Sequence, residues 1–394
     1  MSWNVRGLNS PARRATVCEV ADSHRLVVLC LQETKIETWS PTLVKEVGGS
    51  RLDACAVLPA DGTRGGAAIL WDSSKITITT NAIGQFSITA RATLLQSNNT
   101  FWITTVYGPT NDNRKEEFLA ELIRAMPPTG EPWLINGDFN VIYEARDKSN
   151  LNLNRRIMGR FRAAIDRAGL REIKCKNMRF TWSNERENPT FVAIDKMFCN
   201  LEWETLFPSY ILMAASTTCS DHCPLMLSNA AAPHRKAIFR FETFWTRFPH
   251  FHETKLQFHL ASEVVLRLDV AEEKRQLTRS EFWLWKILKL KIVGLAVLER
   301  IRRRQASCIT WPRAGDASTA FFQTKQTSMR RRNFIQCIQS AGALKTSHAD
   351  KAAVVHEHFS LLGQKRNRSR TINWEALELP RLQAGADSTT PSLR

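Results

Sequence analysis

The chain has 394 residues, 43% of them hydrophobic, with 55 Lys and Arg against 38 Asp and Glu and a formal net charge of +17. That length allows two domains, and the composition is that of an ordinary globular protein. No stretch approaches the roughly 20 apolar residues of a membrane-spanning helix, and the first residues lack the basic-then-apolar pattern of a signal peptide. A soluble protein of the nucleus or cytoplasm, not secreted and with no membrane partner, is therefore expected. The nine cysteines are odd in number and show no zinc-ligand spacing, which fits a reducing compartment. Cys219 and Cys223 read as small buried residues.

The charge is unevenly placed. Residues 1–230 carry 26 Lys/Arg and 24 Asp/Glu, whereas residues 231–394 carry 29 and 14. A basic appendage beside a nearly neutral domain suggests a polyanionic partner, because phosphate contacts supply affinity without regard to sequence. A solvated basic surface with no partner is the plainer alternative.

In chain order, apolar runs and alternating patterns predict strands over 26–31, 66–71, 76–80, 86–95, 101–106, 132–136 and 191–198. Helices are predicted over 12–22, 114–126 and 157–168, the second opened by the cap signal Asn111-Asp112-Asn113. Many strands with few helices point to an α/β protein of two packed sheets flanked by helices. Ala230-Ala231-Ala232-Pro233 marks a boundary. The expected domains are a catalytic-looking unit over 1–228, a helical basic linker over 229–370 and a disordered tail over 371–394. The linker holds a long helical pattern from about 253 to 305 that closes on Arg300, Arg302, Arg303 and Arg304.

Polar residues recur where apolar runs end. Glu33 follows the run Leu26 to Leu31, where a carboxylate can hold Mg²⁺, although such a Glu is more often a plain loop residue. Asp138 and Asn140 follow Trp133-Leu134-Ile135-Asn136-Gly137. The aspartate could take a proton from water that the amide orients, or the pair could form an Asx-turn. Asp221-His222 is the sharpest element, because a histidine steadied by a carboxylate can stabilise charge developing on a phosphate. Asp195 suits that carboxylate role, since a buried aspartate needs a partner; a salt bridge to Lys196 or Arg179 is the alternative. Asn4 on the first strand could touch phosphate or metal, and Tyr107 at the end of 101–106 could reach phosphate.

Taken in order, Trp3-Asn4-Val5-Arg6-Gly7-Leu8-Asn9, Leu31-Gln32-Glu33-Thr34, Tyr107-Gly108-Pro109, Gly137-Asp138-Phe139-Asn140, Ile194-Asp195-Lys196 and Ser220-Asp221-His222-Cys223-Pro224-Leu225 resemble the endonuclease/exonuclease/phosphatase superfamily over about residues 1–228. The resemblance implies a four-layered α-β-β-α sandwich, as in DNase I, that uses Mg²⁺, with Mn²⁺ as a substitute. It implies that Asn4, Glu33 and Asp221 serve the metal, that Tyr107 contacts phosphate, and that Asp138 and Asn140 activate and position water. Asp195 would orient His222. The implied reaction is hydrolysis of a DNA phosphodiester to a 3′-hydroxyl and a 5′-phosphate.

Asn152-Leu153-Asn154-Arg155-Arg156-Ile157-Met158-Gly159-Arg160-Phe161, Phe180-Thr181-Trp182-Ser183-Asn184-Glu185-Arg186 and Phe239-Arg240-Phe241-Glu242 look like the endonuclease and linker of plant LINE-type retrotransposon polyproteins. Arg6 stands where exonuclease III-type repair enzymes usually carry an acidic residue. The Asp-Asp polymerase signature is absent, so a fragment without reverse transcriptase is expected. Its start just ahead of Trp3 leaves the first strand open to fraying. In the basic half, Arg302, Arg303, Arg304, Arg330, Arg331 and Arg332 are the candidate nucleic-acid contacts, for DNA and secondarily RNA, with no obligate protein partner. A phosphatase or repair nuclease on the same fold, or an inactive nucleic-acid-binding remnant, are the competing readings.

Overall fold

The computed structural model describes residues 1–186, 188–229, 251–306, 338–340, 343–345 and 347–364. They fall into two compact units, 1–329 and 330–394. The first unit begins β1 (Ser2–Asn4), α1 (Pro11–Ser23), β2 (Val28–Gln32), α2 (Pro41–Gly48), β3 (Ala54–Leu58) and β4 (Ala67–Trp71). It continues with β5 (Ile76–Ile83), β6 (Ser87–Leu94), β7 (Thr100–Tyr107), α3 (Lys115–Arg124), β8 (Trp133–Asp138), α4 (Arg155–Arg167) and β9 (Arg171–Glu172). Then come β10 (Trp182–Ser183), β11 (Phe191–Val192), β12 (Asp195–Cys199), α5 (Leu201–Leu206), β13 (Tyr210–Ala214), β14 (Leu225–Asn229), α6 (Phe251–Glu272) and α7 (Arg279–Ala306). The second unit contains the hairpin β15 (Ile338–Ser340) and β16 (Ala343–Lys345), followed by α8 (His348–Gln364). Among the described residues no helix is long and apolar enough to cross a membrane.

Two six-stranded mixed sheets carry the first unit, in the orders β13-β14-β1-β2-β4-β3 and β5-β6-β7-β8-β12-β9. Successive strand side chains alternate in direction, and each central strand uses the alternation to feed two cores. On β2, Leu29 and Leu31 face outward to α1 and α2, whereas Cys30 faces the opposite sheet. On β8, Trp133 and Ile135 face the aromatic core beneath α3 and α4, and Leu134 faces between the sheets. This is the expected α-β-β-α sandwich. Leu26 to Leu31 reads as a continuous apolar run because both faces of that strand are buried.

The first strand is not frayed. It pairs in parallel with β2 and antiparallel with β14, and Trp3 and Asn4 are each 1% exposed. The single strand expected over 191–198 is instead two, β11 and β12, separated at Ala193–Ile194. Phe139 N–H donates to Ile194 O there (2.9 Å), and Ala193 N–H donates to Asp147 O (2.7 Å). The single helical pattern over 253–305 is likewise a pair of helices, broken over 273–278.

That pair packs on the sandwich. Phe258, Ala261, Val265 and Leu268 of α6, with Trp285, Ile292 and Ala296 of α7, share a core with Trp3, Leu8, Val17 and Leu31. Arg300 on α7 donates to Glu46 on α2 at 2.5 Å. The expected boundary at 228 therefore falls inside the first unit, and the α6–α7 part of the expected linker region is built into its outer layer. Arg302–Arg304 lie on the last turn of α7, but their side chains, like Arg330–Arg332 and the tail 371–394, lie outside the described residues. Ile292→Ala should lower the stability of the sandwich by about 2–4 kcal/mol, the usual cost of emptying a buried aliphatic site. Urea unfolding followed by tryptophan fluorescence reads it, and an unchanged midpoint would mean that α7 is a detached tail.

Candidate active site

The site forms where the central strands of both sheets end. Parallel pairing sets Tyr107 of β7 opposite Asp138 of β8, and antiparallel pairing sets Asp195 of β12 opposite Asp138 on the other side. Gly137 makes the first pairing possible: its φ is +139°, and a Cβ there would sit 2.0 Å from Val106 O. From the other sheet, Asn4 closes the gap by donating its amide to Asp138 Oδ2 (2.8 Å). The chain then turns sharply at each exit, with Arg6, Glu33 and Asn140 at φ of 51°, 52° and 51°. Left-handed backbone costs a non-glycine residue about 1–3 kcal/mol and concentrates at functional sites.

Asp138 is 1% exposed and accepts three hydrogen bonds from two residues: Asn4 donates to it, and Asn140 donates both its N–H to Oδ1 (2.8 Å) and its side-chain amide to Oδ2 (3.1 Å). The Asx-turn and the functional pairing are thus one structure. The Asn140 amide also donates to Gly108 O (2.9 Å), and buried Lys115 donates to Asn140 O (2.7 Å). Burial and then the Asp195 charge push the Asp138 carboxyl up to about 6, against the pull of His222, Asn4 and Asn140. Burial likewise pulls the Lys115 ammonium down to about 8.

His222 Nδ1 lies 2.8 Å from Asp195 Oδ2, and both residues are 5% exposed. Lys196, the competing partner, pairs instead with Glu172 (2.7 Å) and Asp147 (3.0 Å), and Arg179 donates to Arg146 O (2.7 Å). Burial works against the imidazolium, but the charges of Asp195, Asp138 and Asp221 outweigh it and push the imidazole up to about 9. Ligand atoms of Asp138, Asp195 and His222 all lie within 4.8 Å of one another.

Asp221 is turned the other way. Its Oδ2 accepts from the Trp182 indole (2.9 Å) and forms an ion pair with Arg6, while Arg6 N–H donates to Asn4 Oδ1 (3.0 Å). Glu33 pairs with Lys35 (3.0 Å) and interacts with the Tyr107 phenol, which burial and then the Glu33 and Asp138 charges raise further above its ordinary value. Asn4, Glu33, Tyr107, Asp138, Asn140, Asp195, Asp221 and His222 thus all collect at this end. Asp138, Asp195 and His222 form its tight buried group. Asp221 and Glu33 are paired to cations.

Other participants were not singled out from sequence as site residues. Trp182 was visible only as part of a motif. Ser220 donates its hydroxyl to Asn4 O (2.8 Å) and accepts from His222 N–H (3.2 Å), and the Trp3 indole donates to His222 O (3.1 Å). Their adjacency to Asp221 and Asn4 was the available signal.

A four-layered α/β sandwich with a carboxylate–imidazole cluster where its sheets end is the architecture of hydrolytic nucleases and phosphatases. The chain belongs to the Endonuclease/Exonuclease/phosphatase family, which matches residues 1–222. Solved structures similar to it include the AP endonuclease LMAP from Leishmania major, with 14% identity over 58% of this chain and 86% of that one and a TM-score of 0.48. The endonuclease domain of TRAS1, a telomere-specific non-LTR retrotransposon, shows 13% identity over 58% and 96%, TM-score 0.44. The mannosyl-6-phosphatase Bt3783 of Bacteroides thetaiotaomicron shows 15% over 58% and 97%, TM-score 0.40. No curated protein matches the chain.

The imidazole is expected to titrate near 9 in the metal-free protein by histidine NMR, and to fall toward its ordinary range in Asp195→Asn. A raised folded pKa stabilises fully below the unfolded value, about 6.5, and that contribution disappears as pH rises through about 9. The parent should therefore lose thermal stability across this window and Asp195→Asn should lose less. Identical profiles would mean that the pair is not an ionic one.

Proposed function

We propose that the chain is a divalent-metal-dependent endonuclease that nicks DNA, leaving a 3′-hydroxyl and a 5′-phosphate. The observation that carries this reading is the continuous buried path from Asn4 through Asp138 to Asp195 and His222, which spans both sheets. Above about pH 6 the Asp138 carboxylate can accept a proton from water, and the Asn140 amide beside it can orient that water. With Nδ1 committed to Asp195, His222 keeps Nε2 as the nitrogen able to donate to a phosphate oxygen. Tyr107, held as a neutral phenol, is a second donor. Together they stabilise negative charge as it develops.

The donor set fits a hard cation. Asn4, Glu33 and Asp221 offer oxygens alone, and Asp221 Oδ1 is buried without a hydrogen-bond partner among the described residues. A Mg²⁺ or Mn²⁺ held there would supply Lewis-acid charge at the phosphate. DNA as substrate is supported by the excess of 29 Lys/Arg over 14 Asp/Glu in residues 231–394, with Arg302–Arg304 and Arg330–Arg332 as candidate backbone contacts. The LINE-type origin rests on the motifs around Trp3, Asn152 and Phe180.

Purified protein should nick supercoiled plasmid with Mg²⁺, stop on chelation and resume with Mn²⁺. Asp138→Ala and His222→Ala should each lower the rate by about 10²–10⁴-fold. Plasmid retained in a gel shift but never nicked by the parent would leave a binding remnant in place of an enzyme.

A further inference from the structure

The α6–α7 hairpin grips the loop that carries Asp221 and the loop that leads to its hydrogen-bond donor Trp182. The first is the 215–224 connection between β13 and β14. Thr217 donates its N–H (3.1 Å) and its hydroxyl (3.0 Å) to Asp269 on α6, and the Trp285 indole on α7 donates to the same carboxylate (2.7 Å). One turn on, Lys289 donates to Ser220 O (3.3 Å) and forms an ion pair with Glu185. Its ammonium lies 4.3 Å from the Trp285 ring centre. The second loop leads into β10. Glu273, just past α6, accepts from Arg179 N–H (3.0 Å) and Phe180 N–H (2.7 Å), two residues before Trp182 donates to Asp221.

These contacts are too buried to be a solvated linker's chance encounters. Asp269 is 6% exposed, Trp285 3% and Thr217 7%. A carboxylate so placed is costly unless hydrogen-bonded, and Asp269 meets that need only with Thr217 and Trp285 in place. Lys289 sits on the residue that ties the site together: Ser220 holds the Asn4 carbonyl with its hydroxyl and receives the His222 N–H.

We infer that the α6–α7 hairpin is part of the catalytic unit, and that Lys289 is a positioning residue which, through Ser220, fixes the Asp221-His222 loop against Asn4. This rests on the active-site reading above. Catalytic groups displaced by about 1 Å can cost about 100-fold in rate, so a brace two bonds removed from His222 has that scale of leverage.

The test is Lys289→Met in the full chain, which keeps the apolar stem on Trp285 and removes the ammonium, beside Lys289→Arg and His222→Ala. Lys289→Met should lower kcat for plasmid nicking between about 10-fold and about 100-fold with KM unchanged, and Lys289→Arg should restore most of it. Hydrogen exchange over 216–224 should quicken in Lys289→Met and not in Lys289→Arg. Parent-like kcat and exchange in Lys289→Met, with His222→Ala dead, would overturn the inference and leave the active site standing. Equal loss in both lysine variants, with a lowered melting temperature, would overturn it in favour of general destabilisation. Full nicking by His222→Ala would sink the active-site reading itself, and the exchange over 216–224 would still decide whether Lys289 holds the loop.

Discussion

The carboxylate of Asp138 is the constraint on which the rest of the site depends. It is 1% exposed at the end of β8, facing the other sheet, and a buried charge there must be partnered. Asn4 reaches it from one sheet, and Asn140, the residue that turns the chain away, reaches it from the other. Meeting that requirement sets the distance between the sheets where phosphate chemistry would occur. Asp195 then lies beside Asp138 by strand register, and His222 is drawn onto Asp195.

Two further devices keep the cluster tight. Glycine at 137 lets β8 approach Val106 more closely than any side chain would allow. Left-handed turns at Arg6, Glu33 and Asn140 redirect the chain within two residues of the ends of β1, β2 and β8. Strain of this kind persists only when surrounding packing over-determines it. Here the aromatic core of Phe118, Phe139, Phe161 and Phe198 lies directly beneath β8 and β12.

Charge is partitioned by position. In the inner group His222 pairs with Asp195 and also feels the Asp138 charge. The outer carboxylates, Asp221 and Glu33, are balanced by Arg6 and Lys35, cations from the same exits that bear the left-handed turns. Arg6 is therefore structurally tied to Asp221 in this chain, which gives a physical role to a residue whose type was unexpected for a repair enzyme.

Much of the sandwich was legible in the sequence, because strand alternation and helix periodicity are local: β2, β4, β6, β7 and β8, with α1, α3 and α4, all fall within a few residues of their predicted spans. The polar residues that gather at the sheet ends were legible too, since Glu33, Tyr107, Asp138 and Asp221-His222 each mark the end of an apolar run or the start of one. The sequence alone marked the polar residues that the structure brings to one end of the sheets. It could not determine their partners, because the choice of His222 over Lys196 for Asp195, or of Arg6 for Asp221, depends on which chain segments meet across sequence separations of 27 and 215. Nor could it show that α6 and α7 belong to the sandwich. They read as a helical basic linker until the core around α1, β1 and β2 supplies a surface to bury their apolar residues, and only tertiary packing decides which of two apolar surfaces finds the other.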